Sequence, residues 1–174
     1  MHNFYPDRFF DKKEDIPFEE YYEQGFRGVI FDIDNTLVPH DAPADESAIA
    51  FIQKLKKMGY QICLLSNNDE KRVSSFNELL QVHYIHKANK PFRSGYERAM
   101  QLLETDLEHT IFVGDQIFTD VWGARRIGMF SILLDPINPK EEIQIILKRI
   151  PEKFIKRNYR RMRGLQPTEY DTIA

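Results

Sequence analysis

The stretch Gly28–Val38, which reads GVIFDIDNTLV, predicts a buried strand that runs directly into two carboxylates. The apolar run VIF after the glycine is short and partly β-branched, which is typical of a strand covered on both faces. Asp32 and Asp34 follow it at positions i and i+2. An unpaired charge is costly beside a buried strand, and ligands of open α/β sheets lie beyond the carboxyl ends of the strands. The two acids therefore favour a site for a cation and an anionic substrate.

A simpler interpretation of the two acids is a turn. Asp and Asn side chains accept hydrogen bonds from nearby backbone N–H groups and are common after strands for that reason alone. The stretch by itself does not separate the two interpretations, so the choice depends on what the other predicted strands carry at their ends.

The composition is that of an ordinary globular domain. The chain has 174 residues, 42% of them hydrophobic and 29% charged, which is enough for one domain with a core. Its one cysteine, Cys63, excludes an internal disulfide and favours a reducing compartment. The apolar run around Cys63 predicts a core residue and not a catalytic thiol. We expect a cytoplasmic protein, at most peripheral on a membrane, because the sequence has no run of about 18 apolar residues and no signal peptide.

Three segments are predicted along the chain. Residues 1–27 are rich in aromatic residues and are expected to pack on the core. Residues 28–150 form the main domain, and residues 151–174 form a basic tail whose end is expected to be disordered. The range Lys148–Arg163 holds eight bases against one acid, in a chain of net charge −3. This asymmetry suggests either contact with an anionic membrane or a solvated helix face.

Helices and strands alternate along the main domain. Beyond the opening strand, the predicted strands are Tyr60–Leu65, Val82–His86, Thr110–Val113 and Phe130–Leu134. Apolar spacing and the Asp, Gly and Pro residues at segment ends predict helices over Glu46–Met58, Glu70–Leu80, Phe92–Leu103, Thr119–Ile127 and Lys140–Ile150. The alternation is typical of βαβ units. We therefore predict an α/β fold, a three-layer, Rossmann-like parallel sheet of five strands with helices on both faces.

Polar side chains follow the predicted strand ends. Ser66 follows the second strand, Lys90 precedes the helix after the third, and Asp115 follows the fourth, with Asp120 shortly after it. In a parallel sheet these groups lie along one edge together with Asp32. Several carboxylates around one point repel each other without a cation, and oxygen ligands suit Mg²⁺. A lysine and a hydroxyl beside them can bind phosphate oxygens, so the set indicates phosphoryl transfer.

These motifs resemble those of the haloacid dehalogenase superfamily. The segments that carry the resemblance lie in the expected order over roughly residues 28–135, and are Asp32-Ile33-Asp34-Asn35-Thr36, Ser66, Lys90 and Gly114-Asp115 with Asp120. Lys87 is a rival for the lysine, but Lys90-Pro91 at the start of a helix is the closer match. An acid as the second aspartate resembles the phosphatases of the superfamily more than its ATPases, which usually carry threonine there.

The resemblance implies the reacting and phosphate-binding residues. Asp32 would be the nucleophile and would form an aspartyl-phosphate. Asp34 would protonate the leaving oxygen and then activate water. Phosphate oxygens would be bound by Ser66, Asn67 and Lys90.

The resemblance also implies a magnesium site. Mg²⁺ would be held by the Asp32 carboxylate, the backbone carbonyl of Asp34 and the Asp115 carboxylate. Asp120 would orient these ligands from outside the set, and Thr36 would brace the turn.

The spacing of the motifs predicts an open site. The chain between Thr36 and Ser66, and between Ser66 and Lys90, is too short for a large cap domain. The segments DIDNTLVPHD, LLSNN, KP and GDQIFTDVWGARRIGM further resemble the YqeG-type branch, a compact group related to phosphatidylglycerophosphatases. This likeness implies dephosphorylation of phosphatidylglycerol phosphate to phosphatidylglycerol. His40 departs from the tryptophan of that branch, and a solvated loop histidine is its simplest interpretation.

Other functions stay open at this point. A cap-less phosphatase could act on the 3′ ends of nucleic acid, on a phosphoprotein or on a small phosphorylated metabolite, and a basic tail serves nucleic acid as well as a membrane. The tail has few aromatic residues for stacking on bases, which favours a lipid headgroup and contact with an anionic membrane through Lys148–Arg163. A binding module without activity is the remaining alternative, and the intact set of acids, hydroxyl and lysine argues against it.

Overall fold

A computed structural model describes residues 2–138 and 155–164 of the chain. Its strands are β1 (Arg8–Phe10), β2 (Gly28–Phe31), β3 (Gln61–Leu65), β4 (His83–Ile85), β5 (Thr110–Gly114) and β6 (Phe130–Leu134). Its helices are α1 (Phe18–Glu23), α2 (Glu46–Met58), α3 (Glu70–Asn77), α4 (Arg93–Leu103), α5 (Trp122–Arg126) and α6 (155–163). The helix predicted over Lys140–Ile150 and the chain end predicted to be disordered lie outside the described residues.

The strands form one parallel sheet in the order β1-β6-β5-β2-β3-β4. This confirms the predicted α/β fold with one correction, because the sequence predicts five strands and the sheet has six. The additional strand is β1, which lies in the aromatic N-terminal segment and pairs with β6, Arg8 opposite Ile132. Three residues are too few to show a periodicity, and the partner strand lies at the far end of the main domain.

Successive residues of β2 point to opposite faces of the sheet, and helices cover both faces. Val29 and Phe31 belong to the core cluster under α1, α2 and α3, together with buried Ile52 and Phe76. Ile30 belongs to the cluster on the other face, under α4 and α5. Burial on both faces explains why β2 is apolar without alternation.

The residues at the ends of α2 behave as the sequence predicts. The N-cap Asp45 accepts a hydrogen bond from the Ala48 N–H at 2.7 Å. Gly59 ends the helix in the left-handed conformation, with φ of 99°. The helix therefore spans the predicted Glu46–Met58 and returns the chain to the start of β3.

The segment after β5 differs from the prediction. A π-helical turn over Ile117–Val121 is followed by the short α5, in place of the single helix predicted over Thr119–Ile127. In this wider turn the Asp120 carboxylate folds back and accepts a hydrogen bond from the Gln116 N–H at 3.0 Å. Such turns are frequent at functional sites, and apolar spacing alone does not distinguish them from an α-helix.

Helix α6 is attached to the sheet beside β6. Ile155 packs on the cluster around Leu133. Arg160 and Lys156 lie 3.0 and 3.8 Å from the carboxylate of Asp135, which follows β6. Burial raises the pKa of Asp135, and the two basic groups oppose the rise. Two bases of the tail are thus paired at the carboxyl edge of the sheet. Among the described residues, no helix has both the length and the apolar character needed to span a bilayer.

Cys63 lies inside β3 and is fully buried, and burial raises the pKa of its thiol to about 12. Because the thiolate is the reactive form, we expect iodoacetamide at about pH 8 to leave the folded protein unmodified. In guanidinium chloride it should alkylate Cys63 completely, and intact mass measured over time checks both expectations. Equal alkylation rates for the folded and unfolded protein would contradict the core position.

Candidate active site

A tight loop after β2 presents the first two acids. Asp32 continues the strand, and its N–H donates to a carbonyl of β5 at 2.9 Å. Asn35 adopts the left-handed conformation, with φ of 63°, which Asn tolerates better than most residues. Its N–H donates to the Val38 carbonyl at 2.7 Å and closes the loop. Between the acids, Ile33 is fully buried in the core. The loop is therefore anchored on both sides of Asp32 and Asp34, which are 6% and 8% exposed.

Lys90 joins two of the acids. Its ammonium nitrogen lies 2.6 Å from the carboxylate of Asp32 and 2.7 Å from that of Asp120, and all three side chains are buried. Although burial alone would lower the pKa of Lys90, the charges of Asp120 and Asp32 raise it above its usual value, so the lysine is protonated. The rival Lys87 is exposed, so the structure places Lys90 in the site.

Three carboxylates, two of them bonded to this lysine, lie close together. Oxygen atoms of Asp32, Asp115 and Asp120 lie within 4.8 Å of one another. Burial raises the pKa of Asp32 above its usual value; the charge of Lys90 opposes the rise, and those of Asp120 and Asp115 add to it. One lysine cannot neutralise three carboxylates, so a buried excess of negative charge remains when all are ionised. This oxygen-only donor set fits a hard divalent cation.

Gly114 allows Asp120 to approach the end of β5. A Cβ at this position would lie 2.5 Å from a carboxylate oxygen of Asp120, closer than atoms can pack, so any other residue would displace the acid. From α4, the hydroxyl of buried Tyr96 donates to the carbonyl of Thr119, the residue before Asp120, at 2.6 Å. The strand, the π-helical turn and α4 together fix the position of Asp120.

Two hydroxyl groups lie at the same edge. Thr36 donates from Oγ1 to the Asp115 carboxylate at 3.3 Å. This bond connects the loop over residues 32–38, here called the acidic loop, to the end of β5. Ser66 follows β3, and its hydroxyl oxygen accepts from the Asn68 N–H at 3.1 Å, so its own hydrogen can be donated to a ligand. The register pairs Phe31 with Leu64 and with Val113, which brings these strand ends side by side.

Asn67 is bonded to the backbone of Lys90. The Lys90 N–H donates to Asn67 Oδ1 at 2.7 Å, and Asn67 Nδ2 donates to the Lys90 carbonyl at 3.1 Å. Here the amide fixes the position of the lysine. Direct binding of phosphate by Asn67, expected from the sequence, stays a prediction.

Three donors hold the carboxylate of Asp34. Arg72 Nη2 and the Asp41 N–H both donate to Oδ1 at 2.8 Å, and Asn68 Nδ2 donates to Oδ2 at 2.6 Å. Asp34 therefore has its own partners, separate from those of Asp32.

Arg72 and Asn68 are absent from the site predicted from sequence. A signal was available, since both lie shortly after Ser66 in the stretch SNNDEKR, close to the carboxyl end of β3. Arg72 belongs to the first turn of α3, whose N-cap is Asp69. A basic residue at a helix start resembles ordinary surface charge until the packing of that helix is known.

Comparisons with known proteins agree with this geometry. Residues 39–128 match the family of haloacid dehalogenase-like hydrolases; the match begins after the first two acids and includes Ser66, Lys90 and Asp115. The chain is 38% identical over 135 residues to the probable phosphatase YqeG of Bacillus subtilis, covering 77% of this chain and 78% of that protein. It is 27% identical over 172 residues to phosphatidylglycerophosphate phosphatase 1 of Arabidopsis thaliana, covering 91% of this chain and 49% of the plant protein.

Solved structures share the fold at low sequence identity. An uncharacterised protein from Listeria monocytogenes superposes with a TM-score of 0.53 and 16% identity, covering 75% of this chain and 98% of that chain. A hypothetical protein from Xanthomonas campestris gives a TM-score of 0.51 and 14% identity, covering 80% and 79%. These two structures support the parallel α/β architecture.

Binding of a divalent cation at the three carboxylates is expected to stabilise the fold. A ligand that binds only the folded state raises the free energy of unfolding by about 2.7 kcal/mol at about 100 times its Kd. We expect the Tm of EDTA-treated protein, followed by circular dichroism, to rise with added Mg²⁺ or Mn²⁺. The rise should be lost in Asp115→Asn and kept in Asp15→Asn, which alters an exposed acid away from the cluster. A wild-type Tm that responds to neither ion would show that the cluster does not bind them.

Proposed function

We propose that this chain, which belongs to the haloacid dehalogenase-like hydrolases and is a phosphatase, removes the terminal phosphate of phosphatidylglycerol phosphate. The observation that carries this substrate is the likeness to the Arabidopsis phosphatidylglycerophosphate phosphatase over 91% of this chain. The geometry of the buried acids, Lys90 and Ser66 supports the phosphatase chemistry.

In the proposed first step, a carboxylate oxygen of Asp32 attacks the phosphorus atom and forms an aspartyl-phosphate. The bond from phosphorus to the glycerol oxygen breaks, and Asp34 gives that oxygen a proton. In the second step, water attacks the phosphorus, Asp34 takes a proton from it, and the Asp32 carboxylate is restored as phosphate leaves. The separate partners of the two acids support this division of roles.

Charge neutralisation is the second part of the proposal. Lys90 and Ser66 would bind the phosphate oxygens, with the lysine already beside Asp32. Asp32, Asp115 and the backbone carbonyl of Asp34 are the proposed ligands of Mg²⁺, which when bound neutralises charge on the phosphate. The carboxylates would then bind a cation instead of repelling an anionic substrate.

The lack of an inserted cap domain between the described strands β2, β3 and β4 supports a large substrate. The described chain between β2 and β3 contains only the acidic loop and α2, and between β3 and β4 only α3. No cap domain is inserted in either interval. An open edge suits a headgroup that stays attached to a lipid.

Helix α6 supplies the proposed membrane contact. Lys156 and Arg160 are buried on Asp135, but Arg157, Arg161 and Arg163 are exposed. Each basic residue near an anionic bilayer contributes about 1 kcal/mol. Of the five bases of Lys148–Arg163 that the structure describes, three arginines are therefore exposed.

We expect the protein to release phosphate from vesicles that contain phosphatidylglycerol phosphate, in the presence of Mg²⁺. Asp32→Asn removes the nucleophile and should lower kcat by at least about 1000-fold, and Asp15→Asn should match the wild type. Released phosphate measured over time gives the rates, and circular dichroism confirms that each variant is folded.

Rates of phosphate release from competing substrates test whether the lipid is the substrate. Rapid hydrolysis of an aryl phosphate with none of the lipid would contradict the proposed substrate. Faster release from a 3′-phosphorylated oligonucleotide than from the lipid would move the proposal to nucleic-acid ends. Equal activity in Asp32→Asn would contradict the mechanism.

Binding of the protein to anionic vesicles is expected to depend on the three exposed arginines. Changing Arg157, Arg161 and Arg163 to Gln should weaken sedimentation with phosphatidylglycerol vesicles by about 100-fold, at about 1 kcal/mol per residue. The matched control changes three exposed bases elsewhere to Gln, which are Arg27, Lys57 and Arg98. Equal loss in both triple variants would show that α6 is not the contact.

A further inference from the structure

We infer that Arg72 and Asn68 form a second anion-binding position, on the leaving-group side of Asp34, for a phosphodiester that the reaction does not cleave. This inference rests on the proposed function and names the feature of the substrate that the site would select. In phosphatidylglycerol phosphate, three carbon atoms separate the leaving oxygen from such a phosphodiester.

The position of Arg72 follows from its contact with Asp34. The acid that protonates the leaving oxygen must lie beside that oxygen, and Arg72 Nη2 lies 2.8 Å from its Oδ1. Asn68 Nδ2 lies 2.6 Å from Oδ2. Groups that contact Asp34 are therefore close to the part of the substrate that leaves with this oxygen. Lys90, bonded to Asp32 and Asp120, serves the transferred phosphate instead.

The guanidinium of Arg72 has unused donors. Among the described residues, its side chain makes one hydrogen bond, to Asp34, and its Nε is buried with no hydrogen-bond partner. A buried donor without a partner is rare and calls for an explanation. An arginine presents five N–H groups and binds phosphate with two at once. Arg72 can thus keep its contact with Asp34 and still bind an anion.

The surroundings of Arg72 make it a fixed but reachable cation. Its guanidinium carbon lies 5.3 Å from the ring centroid of Phe76, a buried core residue, and its side chain is 17% exposed. The Asp41 carboxylate lies 4.0 Å from Nε, beyond hydrogen-bond distance, and is 72% exposed. Its other oxygen is 3.4 Å from His40. An exposed loop acid is weakly held, so a phosphodiester can replace it beside Arg72.

The test compares three substrates. The deacylated headgroup, glycerophosphoglycerol phosphate, has the phosphomonoester and the phosphodiester without acyl chains. Glycerol 3-phosphate has the phosphomonoester alone, and vesicles of phosphatidylglycerol phosphate supply the lipid. We expect the wild type to prefer the deacylated headgroup over glycerol 3-phosphate by about 10- to 100-fold in kcat/KM, the range of a charge-assisted contact. Arg72→Ala should bring this ratio close to one, mainly through KM, and Arg72→Lys should give an intermediate ratio.

Two further variants keep the test decisive if Arg72→Ala folds poorly. Asp41→Asn retains the backbone N–H that donates to Asp34 and removes the competing charge, so KM for the deacylated headgroup should fall by about threefold. Arg27→Ala is the matched control, because Arg27 precedes β2 at the opposite edge of the sheet; its ratio should equal that of the wild type.

The outcomes separate this inference from the proposed function. If Arg72→Ala slows both soluble substrates equally, Arg72 only positions Asp34 and the second anion site is overturned. Lipid turnover by a wild type with no preference for the diester would overturn the anion site and leave the lipid function standing. A preference that depends on Arg72, without turnover of the lipid, would support the anion site and contradict the lipid function.

Discussion

The buried ion pairs of Lys90 with Asp32 and Asp120 are the interaction on which the arrangement of the site depends. Removing one partner of a buried pair costs about 3–5 kcal/mol, so the three groups must be brought together by the fold. They come from separate parts of the chain: the end of β2, the segment before α4 and the π-helical turn after β5. The parallel sheet aligns β2 and β5, and Asn67, which follows β3, fixes the backbone of the lysine. Three neighbouring strands, β3, β2 and β5, thus contribute to one charge cluster.

Residues of the hydrophobic core contact the charge cluster of Lys90, Asp32 and Asp120. The ammonium of Lys90 lies 5.7 Å from the ring centroid of Phe112, and Tyr96 packs against the same ring at 5.2 Å. The Tyr96 hydroxyl in turn bonds the turn that carries Asp120. Because water is largely excluded around the buried side chain of Lys90, its attraction to the two acids is stronger than at the surface. Packing on the α4 face therefore sets both the position and the electrostatic environment of the acids.

Local signals in the sequence predict the structure best. The apolar run before Asp32, the N-cap Asp45 and the terminating Gly59 each predict structure from a few neighbouring residues. Geometry that depends on distant partners is not predicted in this way. The three residues of β1 are a strand only because β6 lies beside them. Arg72 is a partner of Asp34 only because α3 starts above the acidic loop. The hydrogen bonds between the Asn67 amide and the backbone of Lys90 also depend on tertiary packing, and the position of Asn67 after a strand does not reveal them.

The two acids that open the site are distinguished by their cations. Asp32 is paired with a lysine that is almost completely buried, whereas Asp34 is paired with an arginine that is partly exposed and has unused donors. The buried ammonium of Lys90, beside the proposed nucleophile, suits a compact phosphate group that is bound and then released. The planar guanidinium of Arg72, beside the proposed proton donor, suits an extended anion that approaches from solvent. In the proposed reaction, the same sheet edge would separate the transferred phosphate from the rest of the substrate. This separation, more than the set of acids itself, would determine which phosphate monoesters the enzyme selects.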